Sequence, residues 1–211
     1  MAKNIVITIA RQYGSGGREI GETVAKKLNI PIYDKQLITD AASRGNLNAD
    51  VLKKADEAAA NSLLYTLAMG SNVLGNAMTF GYKMPINDKL FILQSKVIKE
   101  YADNGSCVII GRCSDYVLRE RDNVFRIFIY GDLEHRKERV RERHPEIKSS
   151  QIIDVINKTD KRRASYYNFY TGNKWGKYDN YDIAINSSTL GIEGTAEMIV
   201  SCVKELMERE N

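Results

Sequence analysis

Apolar residues along this chain fall into five short extended segments separated by stretches of helical period. The run Ile5 to Ala10 is continuous, β-branched and followed by a glycine cluster, the pattern of a strand buried on both faces. From Arg18 to Leu28 the spacing changes, and Ile20, Val24, Ala25 and Leu28 line one helical stripe. Asn29 to Asp34 is a short second extended piece, because Pro31 turns Ile30 away from helix. Lys35 to about Phe80 reads as helical, Ala-rich from Asp50 to Met69 and then punctuated by Gly70, Gly75 and Gly81. A helix from Asp88 to Asp103 leads to a buried strand, Cys107 to Gly111, and Asn123 to Tyr130 (NVFRIFIY) is a further central strand. Two helices, Leu133 to Arg143 and Ser149 to about Tyr170, precede a last strand from Asp182 to Asn186 and a closing helix from Ile192 to Arg209.

Strands alternating with helices predict one α/β domain over residues 1–211, a parallel sheet covered on both faces with right-handed crossovers. Ligands in such sheets bind beyond the carboxyl ends of the strands. Arg11 to Arg18, Asp34, Gly111-Arg112 and Asn186-Ser187-Ser188 are the polar residues that fall there.

Composition narrows the class. With 211 residues, 43% hydrophobic, 15 Gly and 3 Pro, the chain can bury a core and is neither collagenous nor low-complexity. Three cysteines without a CxxC pair argue against a disulfide framework or a zinc site and point to a reducing, cytoplasmic setting. The opening MAKNIVITIARQ is interrupted by Arg11 and has no signal-peptide cleavage site. No stretch approaches the roughly 18 apolar residues of a membrane span, so a soluble protein is expected. The formal net charge is +4, and the stretch Arg112 to Arg163, with 14 Lys and Arg against 10 Asp and Glu, carries an equal excess. Acids interleave with those bases, which argues against a nucleic-acid surface.

The turn after the first strand is the main candidate for chemistry. Gly14-Ser15-Gly16-Gly17 between a strand and a helix puts backbone N–H groups beside the positive end of a helix, where an anion binds. A glycine-rich turn without a ligand has the same local sequence. Taken with Gly111-Arg112 after a strand, the arginine-rich helical pair and the strand that ends in Ser187-Ser188, this loop resembles the cytidylate kinases among the P-loop nucleoside monophosphate kinases. Over nearly its whole length the chain resembles the divergent cytidylate-kinase-like proteins. The resemblance implies a P-loop NTPase-type three-layer α/β/α fold with a helical acceptor-side insertion at about 35–87 and a lid-like segment at about 133–178.

The loop departs from the family pattern, which has a leading Gly and ends Gly-Lys-Gly-Thr or Gly-Lys-Ser/Thr. Arg11 stands at the leading position, Gly17 in the lysine slot after Gly16, and Arg18 or Glu19 in the hydroxyl slot. The missing lysine and hydroxyl are the groups that serve the β/γ-phosphates and magnesium. Arg11 or Arg18 could supply the charge through a guanidinium fork, and Glu19 could bind magnesium or favour the helix start.

By resemblance, Gly14, Ser15, Gly16, Gly17, Arg11 and Arg18 bind the phosphates of ATP or another nucleotide. Asp34, Gln94 and Arg112 take a small phosphorylated acceptor, plausibly a pyrimidine nucleoside monophosphate. Arg18, Arg136, Asp160, Arg162 and Arg163 serve transfer, with Arg139 sharing the face of Arg136. Mg2+ is implied, without an identifiable protein ligand. The aromatic run Tyr166, Tyr167, Phe169, Tyr170, Trp175, Tyr178 and Tyr181 exceeds what the family usually carries there. It could stack on a base, bind single-stranded nucleic acid, or pin an irregular lid segment or dimer contact; the last is favoured. Two functions stand: an ATP-dependent phosphotransferase, or a regulatory module that keeps the anion site and has lost transfer.

Overall fold

A computed structural model of the chain describes residues 4–34, 36–44 and 86–209. The elements are β1 (Val6–Arg11), α1 (Gly17–Leu28), β2 (Ile32–Tyr33), α2 (Gln36–Arg44), α3 (Ile86–Asp103), β3 (Cys107–Ile110), α4 (Ser114–Val117), β4 (Val124–Tyr130), α5 (Leu133–Arg143), α6 (Ile152–Thr171), β5 (Ile183–Asn186) and α7 (Ser187–Arg209). Most of the expected helical insertion, with its Ala-rich and glycine-punctuated parts, lies outside the described residues.

The chain divides into two compact units, Met1–Asp34 with Ile98–Asn211, and Lys35–Val97. The second begins at the residue where the insertion is expected. Within it Leu37 and Ala41 of α2 and Leu90, Gln94 and Val97 of α3 are buried.

The first unit holds a five-stranded sheet in the order β2-β3-β1-β4-β5, in which every pair is parallel. β1 is central, with Ile9 opposite Ile110 on one side and Ile127 on the other. Its continuous apolar run follows from that place, since both faces are covered. Ile7 and Ile9, with Ile127, Ile129, Val108 and Ile110, form a core with Ile20, Val24 and Ala25 of α1 and Ala196, Ile199, Val200 and Val203 of α7. α1 lies so close to the sheet that a Cβ on Gly21 would come within 2.7 Å of Ile110 Cδ1.

On the other face Phe128 meets Trp175 edge-on at 5.3 Å and Tyr181 at 5.0 Å between ring centroids. These rings and Ala10 make a second cluster that holds the segment after α6 against the sheet. Tyr167 donates to the buried Asp115 carboxylate at 2.7 Å. Burial raises the pKa of both groups; the Asp115 charge and hydrogen bond raise the tyrosine's further, while the bond from Tyr167 partly opposes the shift on Asp115. Part of the aromatic run is thus core, while Tyr178 stays exposed. Cys107 and Cys113 are buried free thiols, and loss of water pushes the Cys107 thiol up to about 12.

One helix opens differently from expectation, and another carries an extra turn before its expected start. The helix expected from Ser149 opens as a 3-10 turn, Ser149–Gln151, before α6. α7 starts at Ser187, but Gly191 (φ 66°, ψ −174°) breaks it, so the regular helix starts at Ile192.

Candidate functional site

The loop between β1 and α1 is tied to its surroundings at each step. Gln12 N donates to Ile129 O at 2.9 Å, and Gln12 Oε1 accepts from Gly131 N at 3.2 Å, so the loop leaves the sheet anchored to β4. Gly14 and Gly16 have φ of 80° and 75°, a left-handed backbone that favours glycine. Gly16 is the N-cap of α1 without a side-chain cap, which leaves the first-turn N–H groups without intrahelical acceptors. A Cβ on Gly16 would also lie 3.2 Å from Arg139 Nη2, which places that guanidinium directly against the loop.

Ser15, expected among the phosphate-binding residues, is fully buried. Its hydroxyl is directed inward to Gln12 O at 2.9 Å and Ile129 O at 3.3 Å. Ser187 Oγ lies 2.7 Å from Ser15 O and 2.9 Å from Tyr130 O, joining the loop to the end of β5. The Ser15 side chain is therefore not presented to a phosphate, and the Ser15 N–H is turned toward Gln12 O at 3.4 Å.

The helical pair α5 and α6 packs through Val140, Ile152 and Ile156, with Tyr13 of the loop against it. Asp160 and Arg136 hold the Tyr13 peptide from both sides. Tyr13 N donates to Asp160 Oδ1 at 2.7 Å, and Arg136 Nη1 donates to Asp160 Oδ2 at 2.6 Å and to Tyr13 O at 3.2 Å. Arg136 is buried, and its Nη1 is committed to holding the loop, while its buried Nε has no hydrogen-bond partner among the described residues. Arg163 Nη1 donates to Arg11 O at 2.8 Å, with its guanidinium 5.7 Å from the Tyr13 ring centroid. Arg162 is exposed and reaches Thr159 Oγ1 at 3.4 Å.

Beyond the ends of β1 and β3 positive charge accumulates. The Arg11 guanidinium packs on Gly111, where a Cβ would lie 2.2 Å from Nη1. Loss of water, then Arg163, Arg112 and Arg18, lower its pKa to about 9, and Asp34 opposes them. Burial likewise pulls the Arg163 pKa down, against the pull of Asp160 and Asp34. Asp34 pairs with Arg18 Nε at 3.3 Å, and Arg18 also pairs with Glu22 at 3.0 Å. Gathering four guanidinium groups around one carboxylate costs free energy. Gln94 belongs to the second unit, where it is buried.

Arg112 is held in an unusual backbone. Gly111, Arg112 and Cys113 have φ of 68°, 57° and 56°, a left-handed run with two non-glycine residues. Such strain is found at functional sites, where neighbouring structure maintains it.

Two features of the loop emerge only in three dimensions. A Cβ at Gly17 would lie 2.5 Å from Arg11 Cβ and 3.0 Å from its Cγ. The Arg11 side chain therefore occupies the space that a side chain at 17 would need. Gly17→Lys alone is expected to cost about 1–3 kcal/mol by overpacking, and Arg11→Gly with Gly17→Lys to recover most of it. A double-mutant cycle from urea unfolding checks this.

The second feature is Glu19 in the first turn of α1. Its carboxylate pairs with Arg139 Nη2 at 2.9 Å and Arg143 Nη2 at 2.6 Å. Arg143 was not a candidate from sequence; the spacing of residues 136, 139 and 143 marks one face of α5 but not its partner.

These carboxylates do not suit the magnesium expectation. Glu19 has a guanidinium on each oxygen, Asp160 is held by Arg136 and Tyr13, and the Ser15 hydroxyl faces inward. Among the described residues no three His, Cys, Asp or Glu side chains gather as metal ligands.

A parallel sheet of this order, with a glycine loop opening its first helix beneath a helical pair, defines a P-loop kinase-type fold. The sequence model of the cytidylate kinase-like family matches residues 6–189, and the chain belongs to that family. It is similar to the crystal structure of an uncharacterized protein from Eubacterium ventriosum ATCC 27560, at 27% identity and TM-score 0.68 over 95% of this chain and 98% of that one. A shikimate kinase from Bacteroides thetaiotaomicron shares the fold at 14% identity and TM-score 0.52, over 95% of this chain and 98% of that one. None of the curated proteins matches the chain. Among the described residues no helix is long and apolar enough to cross a membrane.

Proposed function

We propose that the protein is an ATP-dependent phosphotransferase whose acceptor is a small phosphorylated molecule, with pyrimidine nucleoside monophosphates the first class to test. The observation that carries this reading is the convergence of Arg11, Arg18, Arg112 and Arg163 around Asp34 beyond the ends of β1 and β3. A phosphate dianion there would accept charge-assisted, bidentate hydrogen bonds and relieve the repulsion among the guanidinium groups.

The carboxylates narrow the acceptor further. An alcohol acceptor needs a base to take its proton, as in kinases that act on hydroxyls. Asp34 is paired with Arg18 and Asp160 with Arg136, so neither is presented as a base. A phosphate monoester, whose second pKa is about 6, is already deprotonated at neutral pH. An acceptor phosphate oxygen would form the new bond to the γ-phosphorus as the bond to the β-phosphate oxygen breaks. The N–H groups of Gly14 to Gly17 would cradle the donor phosphates. Arg18 and Arg163 would balance charge spreading over the transferring group, and Arg112 with Arg11 would hold the acceptor. The free cysteines support a cytoplasmic setting.

The glycine in the lysine slot and the inward Ser15 hydroxyl favour a second reading, a module that binds phosphate without transfer. Incubation with ATP and a panel of nucleoside monophosphates, with ADP release measured against a blank, separates the two. Turnover that disappears in Arg18→Ala supports transfer, and ATP binding without turnover supports the module. If ATP and phosphate both fail to bind, neither reading survives.

A further inference from the structure

We infer that the loop binds the phosphates of its nucleotide without a divalent cation, the counter-charge being supplied by Arg139 and Arg143. The inference rests on the proposed reading that the loop holds a nucleotide.

The argument starts from the hydroxyl slot. In a loop that uses magnesium, a Ser or Thr there ligates the ion beside the β- and γ-phosphates. In this chain Glu19 lies at that end of the loop, and its two oxygens are taken by Arg139 and Arg143 at 2.9 Å and 2.6 Å. A carboxylate in that state is a poor ligand, because a metal would have to displace two guanidinium groups and then sit beside them. The ensemble of one carboxylate and two guanidinium groups keeps a net positive charge. That charge stands beside the loop at the start of α1, since Arg139 Nη2 would be 3.2 Å from a Cβ on Gly16, a position also packed by Ile192. The two arginines come from one face of α5, which is fixed to the loop through Arg136 and Tyr13, so their charge is delivered by a rigid element.

Guanidinium can take over the neutralising role because it forms paired hydrogen bonds to phosphate oxygens and stays charged. It cannot reproduce the strict octahedral geometry of magnesium. Nucleotide binding should therefore be insensitive to chelation, whereas a loop built for the metal complex loses affinity when the metal is removed.

The test is ATP binding by calorimetry to the full-length protein, once with excess magnesium and once with EDTA. The expected result is dissociation constants within about threefold of each other. The Arg139→Gln, Arg143→Gln double variant should weaken ATP binding about tenfold or more in both buffers, consistent with two lost charge-assisted contacts. Its melting temperature confirms that it is folded, and the wild-type comparison in the two buffers stands without it. Tenfold weaker wild-type binding in EDTA would overturn the inference while leaving the proposed function intact. Loss of ATP binding in both buffers would overturn both.

Discussion

Asp160→Ala is expected to destabilise the protein by about 3–5 kcal/mol, because it leaves a buried arginine without its counter-charge. The Arg136 side chain is 9% exposed and that of Asp160 16%, so water cannot take over the lost interaction. The same carboxylate accepts from Tyr13 N, and removing it strands a backbone donor as well. Urea unfolding with an unchanged slope and a lower midpoint is the measurement. Asp160→Ala with Arg136→Met should recover much of the loss, since removing both charges eliminates the penalty of an orphaned one. An Asp160→Ala protein as stable as wild type would mean that the clamp on Tyr13 contributes little and that Asp160 is free for another role.

Arg112→Gly is expected to lower phosphoryl transfer by about 100- to 1,000-fold, the size of effect seen when a charge-stabilising donor is removed. Stability should change by no more than about 1 kcal/mol, because glycine relieves a left-handed cost of similar size. Few substitutions separate the two quantities so cleanly. Arg112 has φ 57° between Gly111 and Cys113, which are also left-handed, so the backbone there accepts glycine without rearrangement. Arg112→Lys should recover part of the rate, as a point charge replaces a fork. Wild-type turnover in Arg112→Gly would remove this arginine from the acceptor site.

The clamp and the strained turn change how the arginines of this chain are understood. Sequence groups Arg136, Arg162 and Arg163 as lid cations of equal standing. In the structure Arg136 holds the loop, Arg162 is turned to Thr159, and Arg163 bonds the backbone of Arg11 beside the cationic cluster. Arg139, a subsidiary candidate, is the one placed against Gly16.

Much of the fold was legible because its signals are short-ranged. Buried parallel strands read as continuous apolar runs, and the stripe Ile20, Val24, Ala25 is a consequence of helical period; both need only a few neighbouring residues. The glycine loop could be placed for the same reason, since its two left-handed residues, Gly14 and Gly16, are glycines. The side-chain partners were not legible. Tyr13 meets Asp160 across 147 positions, and Glu19 meets Arg139 across 120. A long charged side chain reaches whichever opposite charge the packed elements bring near, and spacing along one helix cannot name it.

The same division explains the altered loop. By itself the sequence determined that a strand, a glycine turn and a helix follow one another at the end of a parallel sheet, and that the usual lysine is missing. Only the tertiary structure decided that Arg11 and a side chain at 17 exclude one another, because Arg11 Cβ lies 2.5 Å from where a Cβ on Gly17 would be. It also decided that Glu19 holds arginines instead of standing open to a metal. Local periodicity sets which elements form; excluded volume and charge pairing between elements distant in sequence set what their side chains do.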